Sequence, residues 1–508
     1  MASLAASLTE GQSAAWWPAA ALLAAAVPFA AFATLVLYHF YIKGSFVWDA
    51  GLLAYLISSP DPRLATPALA GGGSFFAVHF TPIFVPIALL RRLLPISDAQ
   101  FFAGFVGLCH ALPGLAVFWL LYSGFGLRTA FGVATAALVS IAFGFNGLVL
   151  AVARYPHFEM LIVGTALLFF VALMQRRTLL AGLFFALCLL TREDAGFHLF
   201  ALLFLLAALN QFRGIAWRDQ RREIVFAALA LGYSLAVLLL QHTVFGGQSS
   251  FARIYLGEPV FANLSFALIG QRLLGYLQYR AYLVLPALVA LIWAVRVRNP
   301  YIVLGYAAFL PWGLLHLFAD SALAGTLSGY YAYPFLIAAC WPLLGVLLAQ
   351  GIAVKTGPAL PILAFGAMIA VSFTALGCQH NPGRIPLPEA LFSPPSLARQ
   401  AATENAVAAL ARGKAELGAV LVDGSVLALA PAPYRPDETV QDAGRRTPDT
   451  VIYFVEGYEA DNARALAETT HLDRHYQIAG TSIRLATQRS IDPGSPLAAL
   501  LAPAASPQ

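Results

Sequence analysis

The chain has 508 residues, 60% of them hydrophobic and 11% charged, with a mean hydropathy of +0.74. Soluble domains carry about a quarter of their residues as charged groups, so this composition excludes a soluble globular protein and requires helices that cross a bilayer. The net charge of +5 is small for the length and is not gathered into like-charge blocks, which excludes nucleic acid as a partner. The four cysteines show no CxxC or Cys/His spacing that would signal a disulfide framework or a structural zinc.

The first apolar run, 17–42, is preceded by no Lys or Arg and is long enough to span, so it reads as a membrane helix and not as a cleavable signal. A long loop, 43–100, follows. It holds Trp48-Asp49, a Gly71-Gly72-Gly73 break, and an apolar piece at 75–94 with Pro82, Pro86 and a terminal Arg91-Arg92. That piece reads either as a span or as a helix lying along the interface. Clearer runs come at 101–122, 129–151, 159–174, 178–191, 196–210, 224–243, 281–295, 301–318, 332–350 and 357–377. The total is about eleven spans with 75–94 on the surface and about twelve with it crossing.

Loop charge separates the two topologies. With 75–94 on the surface, the short basic turns holding Arg128, Arg176-Arg177, Arg213, Arg218, Arg221, Arg222, Arg296, Arg298 and Lys355 share one side, as the cytoplasmic side should. The opposite side receives the loops 43–100, 244–280 and 319–331 and the C-terminal region. Asp49, His79, His157, Glu159, Arg192, Glu193 and Asp194 then lie on that outer face. Residues 264–280, with Arg272, Gln278 and Arg280 among Leu and Tyr, read as a second interfacial helix there.

Beyond residue 378 the composition changes. Nearly half of the chain's charged residues fall in 379–508, after a Pro-rich linker, Asn381 to Pro388. The predicted elements are a helix at 396–412, strands at 419–422 and 451–455, a helix at 460–470 and a hairpin over 476–486 turning at Ala479-Gly480. The chain therefore divides into a transmembrane region, 1–378, and a small soluble α/β domain, 379–508. No nucleotide-binding glycine pattern and no internal repeat is visible.

Ionisable groups at membrane depth are costly and tend to be functional. Thr191-Arg192-Glu193-Asp194 joins two apolar runs with almost no loop. It reads either as an interfacial polar turn or as the lining of a hydrophilic cavity, in which Arg192 holds a phosphate bidentately. Asp49 reads either as a solvated acid beside a belt tryptophan or as a general base toward a hydroxyl acceptor. His79 and His157 read either as hydrogen-bonding interface residues or, with Asp49 and Glu159, as the ligands a divalent metal would use. Glu159 also favours the N-terminus of the helix that follows it. Ser328-Gly329-Tyr330-Tyr331-Ala332-Tyr333-Pro334 reads either as an interfacial anchor or as a platform for a lipid phosphate or sugar hydroxyls, with His316 and Asp320 nearby.

In their order, Trp48-Asp49, His79-Phe80-Thr81-Pro82, Pro156-His157-Phe158-Glu159 and Arg192-Glu193-Asp194 resemble a bacterial family of predicted multi-spanning membrane proteins of unknown function. Members show Trp-Asp-Leu-Gly, His-Phe-Ser-Pro, His-Pro-Glu and Lys-Glu-Asp motifs. Here Ala50 replaces the Leu, Thr81 the Ser, Phe158 the Pro and Arg192 the Lys. The resemblance extends over most of the chain, and the family is similar in architecture to the GT-C superfamily of integral-membrane glycosyltransferases. It implies an all-α polytopic membrane protein in the bacterial inner membrane with the C-terminal domain periplasmic. It also implies a polyprenyl-phosphate-sugar donor, and a glycan or lipid acceptor in the cell envelope. An acid placed like Asp49 is typically the base in that superfamily; many members carry a second acid beside it, which this chain lacks. His79, His157, Glu159, Arg192, Glu193, Asp194, Arg272, Arg280, Tyr330 and Tyr331 become the expected substrate-binding residues. No cofactor is required, though a divalent metal fits the chemistry. The competing expectations are a transporter or lipid flippase using the same charges as a relay, and a non-catalytic envelope-assembly subunit.

Overall fold

The computed structural model describes residues 2–44, 48–59, 61, 63–64, 73–153, 157–246, 252–327, 329–349, 358–378, 388–429, 434–440 and 447–503. Gly71-Gly72, Arg154-Tyr155-Pro156, Ser328, Lys355 and the linker from Asn381 to Leu387 lie outside the described residues.

The chain is a mostly helical polytopic membrane protein with a small C-terminal mixed sheet. Each of the eleven predicted apolar runs meets a helix. Among the described residues seven helices are long and apolar enough to cross a bilayer: Trp16–Lys43, Asp98–Gly124, Ala195–Phe212, Trp217–Val244, Pro300–Phe318, Gly329–Ala349 and Ala359–Gly377. Two bent pairs raise the number to 9. The expected eleven is not reached because two runs, 159–174 and 178–191, form helices of only 15 and 12 residues. At 1.5 Å per residue these reach about 22 and 18 Å, against a hydrocarbon core of about 30 Å.

The helices that position the site are α1 (Ala2–Tyr38), α2 (Trp48–Ser58), α3 (Phe84–Leu93), α4 (Asp98–Trp119), α5 (Ala130–Gly144), α6 (Gly147–Ala153), α7 (Met160–Met174), α8 (Thr178–Leu189), α9 (Ala195–Phe212), α10 (Arg221–Val244), α11 (Phe266–Tyr279) and α12 (Ala281–Val297). Short α7 is the centre of the bundle. It is buried from Met160 to Leu173 and packs on α4 and α8. Such a helix meets no lipid, so it need not match the bilayer's thickness. Small residues let the backbones approach. A Cβ on Gly164 of α7 would come within 2.3 Å of Leu112 Cβ on α4, and one on Gly114 within 2.8 Å of the Ala24 carbonyl on α1.

The break between α5 and α6, a bend of 44°, is repaired by one side chain. Asn146 Oδ1 accepts from the Leu148 and Val149 amides at 2.9 and 3.1 Å while its Nδ2 donates to the Phe143 carbonyl. Interrupted helices survive at membrane depth only when freed backbone groups are satisfied in this way. α11 meets α12 at 85°, and Leu273, Leu274 and Leu277 remain exposed on it. The apolar piece at 75–94 forms a single turn at Phe75–Ala77 and then α3, ten residues long. α3 measures about 15 Å, half the hydrocarbon core.

The remaining helices of the membrane region are α13 (Leu304–Ala308), α14 (Leu310–Phe318), α15 (Ala322–Gly325), α16 (Pro334–Ala349) and α17 (Ala359–Gly377). In the C-terminal domain α18 (Pro388–Phe392) leads to α19 (Leu397–Arg412), α20 (Lys414–Leu417), α21 (Gly424–Leu429) and α22 (Ala460–Thr469). The strands are β1 (Val420–Val422), β2 (Thr450–Phe454), β3 (Arg474–Ile478), β4 (Ile483–Thr487) and β5 (Leu501–Pro503), in the order β1-β2-β4-β3-β5. Only β1 and β2 run parallel. The predicted hairpin is β3–β4, with Gly480 in its turn at φ +72°.

The packing of α7 on α4 has a measurable consequence. Gly164→Ala puts a methyl into occupied space and is expected to lower stability by about 1–3 kcal/mol, read by thermal unfolding in detergent. Gly182→Ala, which faces open space, is expected to be neutral or slightly stabilising.

Candidate active site

The site begins where apolar runs end. α8 stops at Leu189 and α9 starts at Ala195, so Thr191-Arg192-Glu193-Asp194 must turn within the bundle, and Arg192 is carried inward to 6% exposure. An unpaired guanidinium there would be prohibitively costly, and two carboxylates meet it. Asp194 takes it bidentately, Nε donating to Oδ1 at 2.7 Å and Nη2 to Oδ2. Nη1 donates to Glu159 Oε1. Glu159 precedes α7 and is 1% exposed. Beneath the guanidinium lies the Tyr333 ring, its centroid 5.5 Å from Cζ. The Tyr333 hydroxyl reaches His198 Nε2 at 3.0 Å. α7, the α8–α9 turn, α9 and the approach to α16 therefore meet on one charge cluster.

The cluster extends outward through Glu159. Its other oxygen pairs with His157 Nδ1. His157 Nε2 faces Asp49 Oδ2 at 4.0 Å, and the ring stacks on Tyr330 at 4.4 Å and 12°. Tyr330 in turn packs on Tyr331 at 4.4 Å. Asp49 sits in the first turn of α2. Its side chain is 36% exposed, in contrast to the buried Glu159. Burial nonetheless holds the Asp49 carboxyl above the ordinary carboxylate range, and the neighbouring His157 offsets part of that rise.

Glu193 points elsewhere. It accepts from His79 Nδ1 and from the Phe80 amide, both at 2.9 Å. Ser234 Oγ of α10 donates to its carbonyl at 2.6 Å, and the Ile83 amide donates to the Leu190 carbonyl. These bonds fasten the loop before α3, and α10, to the α8–α9 turn. Burial depresses the basicity of His79, but the Glu193 carboxylate outweighs it and the pKa is raised.

Sequence reasoning proposed more convergence than the structure has. Arg272 Nη1 donates to the carbonyls of Leu317 and Ala319 at 2.8 and 2.7 Å, and Arg280 Nε to those of Thr326 and Leu327 at 2.9 and 3.2 Å. Both arginines thus brace the chain between α14 and α16. His316 joins the same brace, with Nδ1 at 2.8 Å from the Ala324 carbonyl. Asp320 accepts from Asn263. Asp49, His79, His157 and Glu159 do not form one ligand set, because His79 belongs to Glu193 while His157 bridges the other two. Among the described residues no group of three or more His, Cys, Asp or Glu is placed to hold a metal ion. One member of the cluster was missed, His198, and Tyr333 was read as part of the platform at 328–334, not as a partner of Arg192. The signal for His198 was available: it stands four residues after Asp194, one turn further along α9.

Removing one partner from a buried ion cluster strands the others. Arg192→Met is therefore expected to cost about 3–5 kcal/mol of stability by thermal unfolding. Glu193→Gln, at the more open His79 contact, is expected to cost about 1–3 kcal/mol. No protein-family model and no curated protein matches the chain. Among solved structures it is similar to ArnT from Cupriavidus metallidurans bound to undecaprenyl phosphate, with a TM-score of 0.46 and 14% identity over 90% of this chain and 97% of that chain. It is likewise similar to ArnT from the same organism in the apo state, with a TM-score of 0.40 and 13% identity over 90% and 96% of the two chains.

Proposed function

We propose that this chain is an integral-membrane glycosyltransferase of the inner membrane, moving a sugar from a polyprenyl-phosphate donor to a hydroxyl of an envelope glycan or lipid on the periplasmic face. The observation that carries the reading is the placement of Asp49: a partly accessible carboxylate at the rim, backed by an imidazole that a buried Glu159–Arg192–Asp194 cluster holds in place. That is the arrangement a general base needs, open to substrate on one side and fixed on the other.

In the proposed reaction Asp49 takes the proton of the acceptor hydroxyl as its oxygen attacks the anomeric carbon. The bond from that carbon to the phosphate oxygen breaks on the opposite face, its electron pair leaves with polyprenyl phosphate, and the configuration inverts. His157, 4.0 Å from Asp49, backs the carboxylate and offsets part of the rise that burial gives its pKa. Arg192 is engaged by Glu159 and Asp194, so its part is to hold those two carboxylates. Tyr330 and Tyr331 offer stacked ring faces beside His157 on which a sugar can rest. α3 exposes Leu89, Leu90 and Leu93, and α11 exposes Leu273, Leu274 and Leu277. These apolar faces suit helices lying in the interface, alongside which a polyprenyl chain enters.

Protein in lipid nanodiscs given a synthetic polyprenyl-phosphate sugar and an envelope-glycan acceptor is expected to release polyprenyl phosphate. Movement of the intact donor across sealed vesicles without bond cleavage overturns the enzyme reading in favour of a transporter. The base must be ionised, and burial raises its pKa, so activity is expected to rise with pH through a limb above the ordinary Asp value of about 3.9. A rate independent of pH down to that value contradicts the assignment.

A further inference from the structure

The segment carrying Asp49 is held at both ends by the C-terminal domain, and both contacts are backbone-close. At the near end, Gly44 adopts φ +59° and closes on β2: a Cβ there would fall 2.2 Å from Phe454 Cβ. The Tyr458 amide donates to the Gly44 carbonyl at 3.0 Å. At the far end, Gly51 of α2 lies against Gly424, the first residue of α21, where a Cβ would fall 2.1 Å from the Gly424 carbonyl oxygen. Gly51 follows Asp49 by two residues, about 200° around the helix, so the face opposite Asp49 is the one seated on the domain. Tyr55 of α2 and Leu429 of α21 pack against both the membrane-domain core and the C-terminal core.

One buried side chain ties the two contacts together. Asp423, 1% exposed, accepts from the amides of Ser425 and Val426 at 2.7 and 3.2 Å through Oδ1, which fixes the start of α21. Through Oδ2 it accepts from the Phe454 amide at 3.2 Å, which fixes the end of β2. Glu459 adds a bond from the Gly424 amide at 2.6 Å.

We propose that the C-terminal domain is a positioning clamp for the base: Gly44 and Gly51 are its seats, and Asp423 is the brace that sets their separation. The inference rests on the glycosyltransferase reading for its catalytic consequence, but the clamp itself is testable without it. The experiment compares full-length protein in nanodiscs as wild type, Gly51→Ala, Asp423→Asn and Arg489→Gln. Arg489 follows β4 and pairs with Asp449 just ahead of β2, at the end away from Phe454. Hydrogen exchange is read on peptides covering 48–58, and kcat and KM are read with a polyprenyl-phosphate sugar.

Exchange in 48–58 is expected to quicken about tenfold or more in Gly51→Ala and Asp423→Asn, with α7 peptides unchanged. kcat is expected to fall about tenfold or more with KM held within about twofold, because the base is misplaced while the binding surface remains. Arg489→Gln should behave as wild type. Should Gly51→Ala not fold, Asp423→Asn, which keeps the volume and one acceptor oxygen, carries the comparison. Wild-type exchange over 48–58 in Asp423→Asn overturns the clamp. Quickened exchange in a protein whose wild type cleaves no donor upholds the clamp and removes the enzyme reading instead.

Discussion

The structure depends on one ion cluster in an apolar interior. Arg192 and Glu159 are buried and Asp194 is mostly so, and each ion taken out of water costs several kcal/mol unless it is met by partners of good geometry. That requirement couples the register of α7, α8, α9 and α16, since a shift in any one leaves a charge uncompensated. Tyr333 and His198 complete the cluster, one beneath the guanidinium and both within reach of Asp194. The short central helix α7 follows from the same constraint, because its start is set by Glu159 and its end by a turn in which Arg176 takes φ +58°.

The proposed chemistry sits one step outward, where the constraint relaxes. Glu159 fixes His157, and His157 faces Asp49. The buried part of this line is rigid because its charges cannot be rearranged cheaply, whereas Asp49 can meet solvent. An accessible carboxylate on a short helix needs support of another kind. That support comes from Gly51 on the far side of α2 and from Gly44 ahead of the helix, where the C-terminal domain approaches closely. The site is thus held from within by charge and from without by packing.

Much of this was legible in the sequence because membrane helices advertise themselves. The apolar runs marked the helices, and charges at their ends marked the residues that meet at the site. Strand signals at 419–422 and 451–455 and the Gly480 turn marked the sheet. What stayed hidden was pairing. Arg192, Glu193 and Asp194 are adjacent in sequence, yet Glu193 turns to His79 while its neighbours turn inward. Arg272 and Arg280 read as anion-binding groups, but a composition cannot show that Arg272 Nη1 and Arg280 Nε donate to carbonyls between 317 and 327. Among the described residues fewer helices than apolar runs have the length of a span, because hydropathy registers an apolar run whether it faces lipid or the bundle centre. The contact of Gly51 with Gly424 joins positions hundreds of residues apart, and no periodicity reports it.

The account stands or falls on the carboxylate at the rim. The most direct test is the single-turnover rate of donor cleavage by Asp49→Asn beside wild type, with donor binding measured separately. The account predicts that the rate falls by about 10³-fold or more while the donor is still bound, since a positioned base contributes about 10²–10⁴-fold and the amide cannot act as one. Cleavage at the wild-type rate in Asp49→Asn contradicts it.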